Sequence, residues 1–178
     1  MMEDRILVWR FRRGGREALE RIYCKYEAML LTVATAVLGD PAGAQDVVQD
    51  VFLDLVRTPG RIRLGGNLRA FLAVCVANRA RDRRRGRRRD VCLDDLDLTV
   101  PETQQPEVVA ASQETLRLAW SGLAGLPEEQ REVLVLHLVA GLRFRQIAAT
   151  LEVSINTVQS RYRYGLAKLR TLFNGQVR

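Results

Sequence analysis

Side chains that can hydrogen-bond to nucleic acid cluster on one face of a predicted helix in the last quarter of the chain. Before that helix, Ile147, Ala148 and Leu151 form the inner face of a shorter helix, and Val153 fills the turn. The outer face of the second helix carries amides, hydroxyls and guanidinium groups, which can donate to phosphates and read base edges. These residues are Asn156, Thr157, Gln159, Ser160, Arg161 and Arg163. The pattern predicts a DNA-reading helix-turn-helix.

The residues around the turn distinguish two interpretations of this motif, a DNA-binding helix-turn-helix and a plain helical hairpin with a solvated outer face. Ala148 is small where two helices must cross closely, and Ser154 can cap the N-terminus of the second helix. These offsets favour the DNA-binding interpretation. Glu152 stands at the turn position where glycine is usual, and a side chain there costs roughly 1 kcal/mol of backbone strain.

A basic tract of eight arginines fills most of positions 79–89. Its members are Arg79, Arg81, Arg83, Arg84, Arg85, Arg87, Arg88 and Arg89. A solvated helix end is one explanation, and a general arginine bias is another, because the chain has only two lysines. Mutual repulsion of so many cations favours an anionic partner nearby, and phosphate contacts would make binding steeply salt-dependent. We therefore predict that the basic tract contacts nucleic acid.

Three aspartates, Asp46, Asp50 and Asp54, recur at four-residue intervals beside Gln49. On a helix this spacing places the three carboxylates on one face. Ordinary amphipathicity explains such a polar stripe equally well. The functional interpretation is a docking surface for a basic protein partner.

Helical periodicity runs through most of the chain, and strand signals are nearly absent. Helices are predicted at about 17–38, 42–57, 68 into the basic tract, 128–140, 144–151 and 155–173. We expect Gly39 to end the first of these in a left-handed conformation, with Pro41 preventing its continuation. The sequence therefore predicts an all-α fold.

Charge divides the chain into two basic blocks and an acidic connector. The net charge is +8 over residues 1–90, −6 over residues 91–114 and +5 over residues 115–178. The connector contains two prolines and lacks periodicity, which is typical of a linker. We predict two small helical domains, 1–90 and 115–178, joined by residues 91–114, which form an acidic linker and lead into the next helix. The basic balance favours a polyanionic partner, with nucleic acid as the first candidate.

Catalysis and metal binding find little support in the residue types. The three cysteines, Cys24, Cys75 and Cys92, form no CxxC pair, and a zinc site needs four clustered ligands. His137 is the only histidine and lies in an apolar run, which indicates packing or a phosphate contact. The chain has no glycine-rich phosphate loop. We expect no catalytic residue, no cofactor and no metal.

Targeting signals are also absent from the pattern. Residues 1–15 do not resemble a signal peptide, and the longest apolar stretch, at 28–38, is shorter than the roughly 20 residues that span a bilayer. We therefore expect a cytoplasmic protein with no membrane partner.

Several segments resemble the extracytoplasmic-function (ECF) sigma factors of bacterial RNA polymerase. Ala44–Phe52 (AQDVVQDVF) resembles the A-E-D-L-V-Q-E-V-F signature of their region 2. Arg69–Leu72 (RAFL), followed by Asn78, Asp82 and the basic tract, is similar to the R-A-W-L helix of the same region. The segments that resemble region 4 are Leu126–Leu134, Gln146–Ala148 and Asn156–Arg161. The order is that of the family, over nearly the whole chain.

The resemblance implies a factor that binds core RNA polymerase and directs promoter-specific initiation. The residues implied to dock on the clamp helices of the largest polymerase subunit are Asp46, Gln49, Asp50 and Asp54. Those implied to read the −10 element, around a flipped-out base, are Arg61, Arg63, Asn67, Phe71, Asn78, Arg79, Asp82 and Arg83. Those implied to read the −35 element are Ser154, Asn156, Thr157, Gln159, Ser160, Arg161, Arg163 and Tyr164. Further implied partners are the flap region of the second polymerase subunit, promoter DNA and an anti-sigma factor.

The sequence departs from the family pattern at three positions. Phe71 stands where tryptophan is usual, Gln146 where glutamate is usual, and Gln159 where a basic residue is common. The promoter sequence is therefore not inherited from the family. The main rival interpretation is a repressor or activator that uses only the C-terminal motif and whose first domain senses a signal or dimerises.

Overall fold

The computed structural model describes residues 2–62, 67–90 and 121–176, and its regular elements there are all helical. The first part comprises α1 (Met2–Arg12), α2 (Arg16–Leu38), α3 (Pro41–Arg57), a 3₁₀ turn (Pro59–Arg61) and α4 (Leu68–Asp90). The second part comprises a helical end at 121–124, α5 (Glu128–Leu134), a π-helical turn (Val135–Val139), α6 (Phe144–Leu151) and α7 (Ile155–Gln176). The all-α prediction is confirmed.

The corner between α2 and α3 forms as its residue types predict. Gly39 takes a left-handed φ of 79°, and its N–H donates to the carbonyl of Thr35 at 2.8 Å. Asp40 caps α3, because its carboxylate accepts a hydrogen bond from the N–H of Ala42 at 2.9 Å. Pro41 occupies the first turn of α3, where its missing N–H costs nothing. The corner allows α2 and α3 to pack against each other.

Helix α2 lies at the centre of the first part and contacts α1, α3 and α4. Ile22, Leu30 and Val33 on α2 are completely buried. Tyr23 adds an edge-on ring contact with Phe52 of α3, with 4.9 Å between the ring centroids. The core of the first part is therefore built around α2.

Helix α1 was not among the predicted helices. Leu7, Val8 and Phe11 are buried, whereas Ile6 and Trp9 are exposed. Apolar residues thus occur on two faces of α1, and this blurs the single stripe by which an amphipathic helix is identified.

Ion pairs fasten the beginning of α1 to α2. Lys25 Nζ lies 2.5 Å from Glu3 Oε2 and 2.8 Å from Asp4 Oδ1. Burial opposes ionisation of Asp4, but hydrogen bonds from Lys25 and Tyr26 hold the pKa of Asp4 below its ordinary value. The Asp4 carboxylate is therefore charged across the neutral pH range and available to Lys25.

The helix predicted at 128–140 is interrupted. It is α-helical only to Leu134, and the following π-helical turn closes with the N–H of Ala140 donating to Val135 O at 3.1 Å. His137 lies in that turn, where Nδ1 is 2.8 Å from Leu142 O and the ring packs against two aromatic rings. Packing, one of the two roles expected for His137, is confirmed.

The two parts of the chain pack directly against each other. Helix α2 contacts α5 and the π-helical turn, and α4 contacts α6. Buried residues from both parts, among them Ala36 and Leu136, belong to one continuous hydrophobic cluster. The predicted linker at 91–114, Arg63 and Cys92 lie outside the described residues. Within the described part of the chain, no helix is both long and apolar enough to span a bilayer.

Candidate nucleic-acid interface

Helices α6 and α7 form the predicted helix-turn-helix. Ile147 and Leu151 are buried on the inner face of α6. Glu152 ends α6 in a left-handed conformation, with φ 56° and ψ 42°. It is the one non-glycine residue with positive φ in the described ranges. Glu152 therefore has the left-handed conformation that glycine usually supplies at this turn, and its energetic cost stays a prediction.

The first turn of α7 is capped as predicted. The N–H of Thr157 donates to Ser154 Oγ at 3.0 Å, and the two hydroxyl oxygens lie 2.8 Å apart. Val158 is completely buried and anchors the inner face of α7. Because the Ser154 hydroxyl serves the cap, its role as a DNA contact stays a prediction.

The remaining residues predicted to read the −35 element lie along α7, and we call them the reading face: Asn156, Thr157, Gln159, Ser160, Arg161, Arg163 and Tyr164. Asn156, Gln159, Arg163 and Tyr164 are exposed. The guanidinium of Arg163 lies 5.2 Å from the Tyr164 ring centroid. Thr157, Ser160 and Arg161 are partly exposed. Arg161 is the member already engaged, through an ion pair of 3.3 Å with Glu129 of α5.

On α3, the predicted acidic stripe is partly neutralised by α4. Arg83 Nη2 lies 2.8 Å from Asp46 Oδ2, and Arg79 forms an ion pair with Asp54. Two residues predicted to dock on polymerase therefore pair with two predicted to read the −10 element. Gln49 is exposed and Asp50 is half-buried.

Two apolar residues that are not among the predicted site residues extend the surface around Gln49. Leu53 is 54% exposed and Val56 is 53% exposed, and both lie on α3. Their spacing from Gln49, four and seven residues, places all three on one helix face. That spacing was the signal available in the sequence. We call Gln49, Asp50, Leu53 and Val56 the docking face.

The residues predicted to read the −10 element divide into exposed and internal groups. Arg61, Asn67 and Asn78 are exposed, and Asn67 also caps α4 by accepting a hydrogen bond from the N–H of Ala70 at 3.1 Å. Phe71 is partly buried against the core. The structure thus leaves Asn67, at the start of α4, and Asn78, on α4, exposed, while Phe71 packs inward.

Each basic-tract arginine from Arg79 to Arg85 has an acceptor within the chain. Arg79 and Arg83 pair with α3, as described above, and Arg85 pairs with Asp82 of its own helix. Arg81 and Arg84 reach the second part of the chain. The charge repulsion within the tract is therefore offset by carboxylates and carbonyls of the protein itself, and its contact with nucleic acid stays a prediction.

Groups suited to other chemistry are scattered. No cluster of histidine, cysteine, aspartate or glutamate in the described ranges could hold a metal ion. Cys24 and Cys75 are free thiols, and burial raises the pKa of Cys75, which keeps that thiol protonated at neutral pH.

Family models match both parts of the chain. The model of Sigma-70 region 2 matches residues 22–90, and the model of Sigma-70 region 4 matches residues 117–169. Two solved structures share the fold. These are CnrH in complex with the cytosolic domain of CnrY (TM-score 0.64, 24% identity, 97% of this chain and 98% of that chain) and RpoE of Bartonella quintana in complex with the anti-sigma factor NepR (TM-score 0.67, 21% identity, 87% and 96%).

Curated relatives align over most of their length. RNA polymerase sigma factor CarQ of Myxococcus xanthus is 29% identical over 164 residues, which cover 92% of this chain and 93% of CarQ. The ECF RNA polymerase sigma factor SigL of Mycobacterium tuberculosis is 32% identical over 154 residues, which cover 85% of this chain and 86% of SigL. With this likeness and the two regions in place, the chain belongs to the ECF sigma factors of RNA polymerase.

Proposed function

We propose that this sigma factor binds core RNA polymerase through the docking face of α3. As a member of its family, the chain directs promoter-specific transcription initiation. The exposure of Gln49 beside Leu53 and Val56 carries the proposal, because an exposed polar group next to an apolar patch suits a protein interface. The proposed partner is the clamp-helix coiled coil of the largest polymerase subunit.

Promoter recognition is divided between the two parts of the chain. We assign −10 recognition to residues 1–90, where Asn67, just before α4, and Asn78, on α4, are exposed amides. We assign −35 recognition to residues 115–178, where the reading face offers amides and a guanidinium. Segment 91–114 is proposed to connect them. The chain acts by binding rather than by catalysis.

Further partners follow from the same assignment. The flap region of the second polymerase subunit is the proposed contact of the second part of the chain. An anti-sigma factor is a proposed regulator, since the similar RpoE is found with the anti-sigma factor NepR. Because the factor works with RNA polymerase, we place it in the cytoplasm.

The docking face is tested by the double variant Gln49→Ala/Asp50→Ala. We expect its affinity for core polymerase to fall at least tenfold, because removing interface anchors typically costs more than 1 kcal/mol each. Native gel shift with purified core polymerase measures the affinity, and run-off transcription measures the activity. Gln49 is exposed and Asp50 is half-buried, so helicity and melting temperature should not change in the double variant.

Glu20→Ala is the matched control, since it removes one carboxylate from an exposed site on α2. It should bind polymerase like the unaltered chain. Unchanged polymerase affinity in the double variant would remove the docking assignment. If the unaltered chain binds DNA but forms neither polymerase complex nor run-off transcript, the repressor or activator interpretation replaces the proposal.

A further inference from the structure

The corner between α1 and α2 borders a cavity of about 540 Å³, a volume within the range of sites that bind small molecules. Positive charge lines it, and we call this cluster the arginine corner: Arg10 on α1, Arg13 just after it, and Arg16 and Arg21 on α2. Among the described residues of the lining, Glu17 is the one carboxylate, which leaves a net charge of +3. None of these residues belongs to the docking face or the reading face.

Two consecutive glycines bring the arginines together. Gly14 has a left-handed φ of 89°, and a Cβ atom on Gly15 would lie 3.0 Å from the carbonyl oxygen of Arg10. The N–H of Gly15 donates to that same oxygen at 3.0 Å. The chain can therefore turn sharply between Arg13 and Arg16. The turn places like charges side by side, which costs free energy unless an anion offsets their repulsion.

The arginine corner lacks the internal partners that the basic tract has. Each basic-tract arginine from Arg79 to Arg85 has an acceptor, whereas no carboxylate of the described residues forms an ion pair with a member of the arginine corner. All four members are exposed. Gly15 has no side chain to cap α2, so the positive end of the α2 dipole adds to the charge beside the cavity. These groups suit a chain of phosphates, which guanidinium groups bind with paired hydrogen bonds.

Trp9 adds an aromatic surface to the same cavity. Its side chain is 46% exposed, and the guanidinium of Arg13 lies 4.1 Å from the centroid of its ring. Nucleic-acid bases stack on exposed aromatic rings and on guanidinium planes. An aromatic surface next to a phosphate-binding cluster fits the two halves of a nucleotide.

We propose that the arginine corner binds a nucleotide with several phosphates, which contact the arginines while the base stacks beside Trp9. The net charge of the described lining favours a nucleoside triphosphate over a monophosphate. The residues assigned to polymerase and to promoter DNA lie elsewhere, so nucleotide binding here does not depend on the proposed function.

Isothermal titration calorimetry of the full chain with ATP, AMP and inorganic tripolyphosphate, at about 0.15 M salt, tests the site. ATP should bind about tenfold more tightly than AMP. Arg10→Gln/Arg16→Gln should weaken ATP binding about tenfold or more, because two charge-assisted contacts are lost. Arg5→Gln/Arg12→Gln is the matched control, since it removes two exposed arginines of α1 that lie outside the cavity lining. It should change ATP affinity less than about twofold.

Trp9→Ala separates the base from the phosphates. It should weaken ATP binding about fivefold or more and leave tripolyphosphate binding unchanged, because only the nucleotide has a ring to stack. Circular dichroism establishes that each variant is folded. If Trp9→Ala loses helicity, Trp9→Leu replaces it, since leucine keeps apolar bulk without a flat ring.

Three results would overturn the proposal. The first is that ATP does not bind, or binds no more tightly than tripolyphosphate. The second is an equal loss of ATP affinity in the two double arginine variants, which would reveal general charge attraction only. The third is a single-stranded oligonucleotide that binds more tightly than ATP and depends on the same arginines, which would assign the arginine corner to nucleic acid instead.

Discussion

At the scale of single residues, Glu152 is the position where backbone conformation and residue type disagree most. Its left-handed φ of 56° closes the helix-turn-helix, yet only glycine adopts that region without a steric cost. The exposed side chain has no buried contact to compensate for the strain. The turn is therefore retained by the packing of α6 and α7 on either side of it.

Glu152→Gly is expected to raise the free energy of unfolding by about 0.5–1 kcal/mol. Relief of left-handed strain exceeds the added entropy of glycine in the unfolded chain. Denaturant unfolding measures the change. Glu152→Ala keeps the Cβ atom and is the control that should show no gain. A glycine variant no more stable than the alanine variant would contradict the expectation.

Glu132 is the residue at which pH should act on the interface between the two parts. Burial raises its pKa above the ordinary value of 4.5, although Arg84 pulls in the other direction. The folded chain thus binds this proton more tightly than the unfolded chain. The resulting stabilisation is fully present below pH 4.5 and is lost as pH rises through the folded pKa.

The test measures the free energy of unfolding of the unaltered chain and of Glu132→Gln at several pH values between about 4 and about 8. The difference between the two isolates the contribution of Glu132. The difference, unaltered minus variant, should fall as pH rises and then level off. Other carboxylates, such as Asp4 with its lowered pKa, cancel in the difference. A difference that grows with pH would show that the Arg84 contact outweighs burial.

At the scale of elements, α7 buries one side against the core and exposes the reading face on the other. Asn156→Ala/Arg163→Ala should weaken binding of the polymerase complex to its own promoter by about 30-fold or more, since two base contacts are lost and each is worth about 1–3 kcal/mol. Arg170→Ala removes an exposed charge farther along α7 and is the matched control. Filter binding on promoter fragments measures the ratio. Equal losses in both variants would mean that the face supplies charge rather than base contacts.

Helix ends that carry residues typical of caps could be predicted from the sequence. Gly39 and Ser154 set the end of α2 and the beginning of α7, because their local hydrogen bonds need no distant partner. Helix α1 escaped prediction, since its apolar residues occur on two faces. The π-helical turn escaped as well, and His137 within it packs against the Phe144 ring, a contact that the helical pattern does not encode. Local chemistry was readable, whereas features that depend on tertiary packing were not.

At the scale of the whole molecule, the interface between the two parts has no signature in the sequence. Arg131 and Arg81 donate to backbone carbonyls, which every residue type supplies. The basic tract could be identified as a cluster of charge, but its acceptors on α2, α5 and α6 depend on the packing of the whole chain. The site residues predicted on α3, α4 and α7 lie on real helices, and their contacts with polymerase and DNA stay predictions.

The ion pairs that fasten α1 to α2 also bear on how the protein can be chemically tagged. The chain has two lysines, and hydrogen bonds to Asp4 and Glu3 hold Lys25 between these carboxylates and raise its pKa. Amine-directed dyes react with the neutral amine, which Lys25 seldom offers. Lys168 is exposed on α7, beyond the reading face. Of the two lysines, an amine-reactive fluorophore would therefore label Lys168 preferentially, and its emission would report on the surroundings of α7.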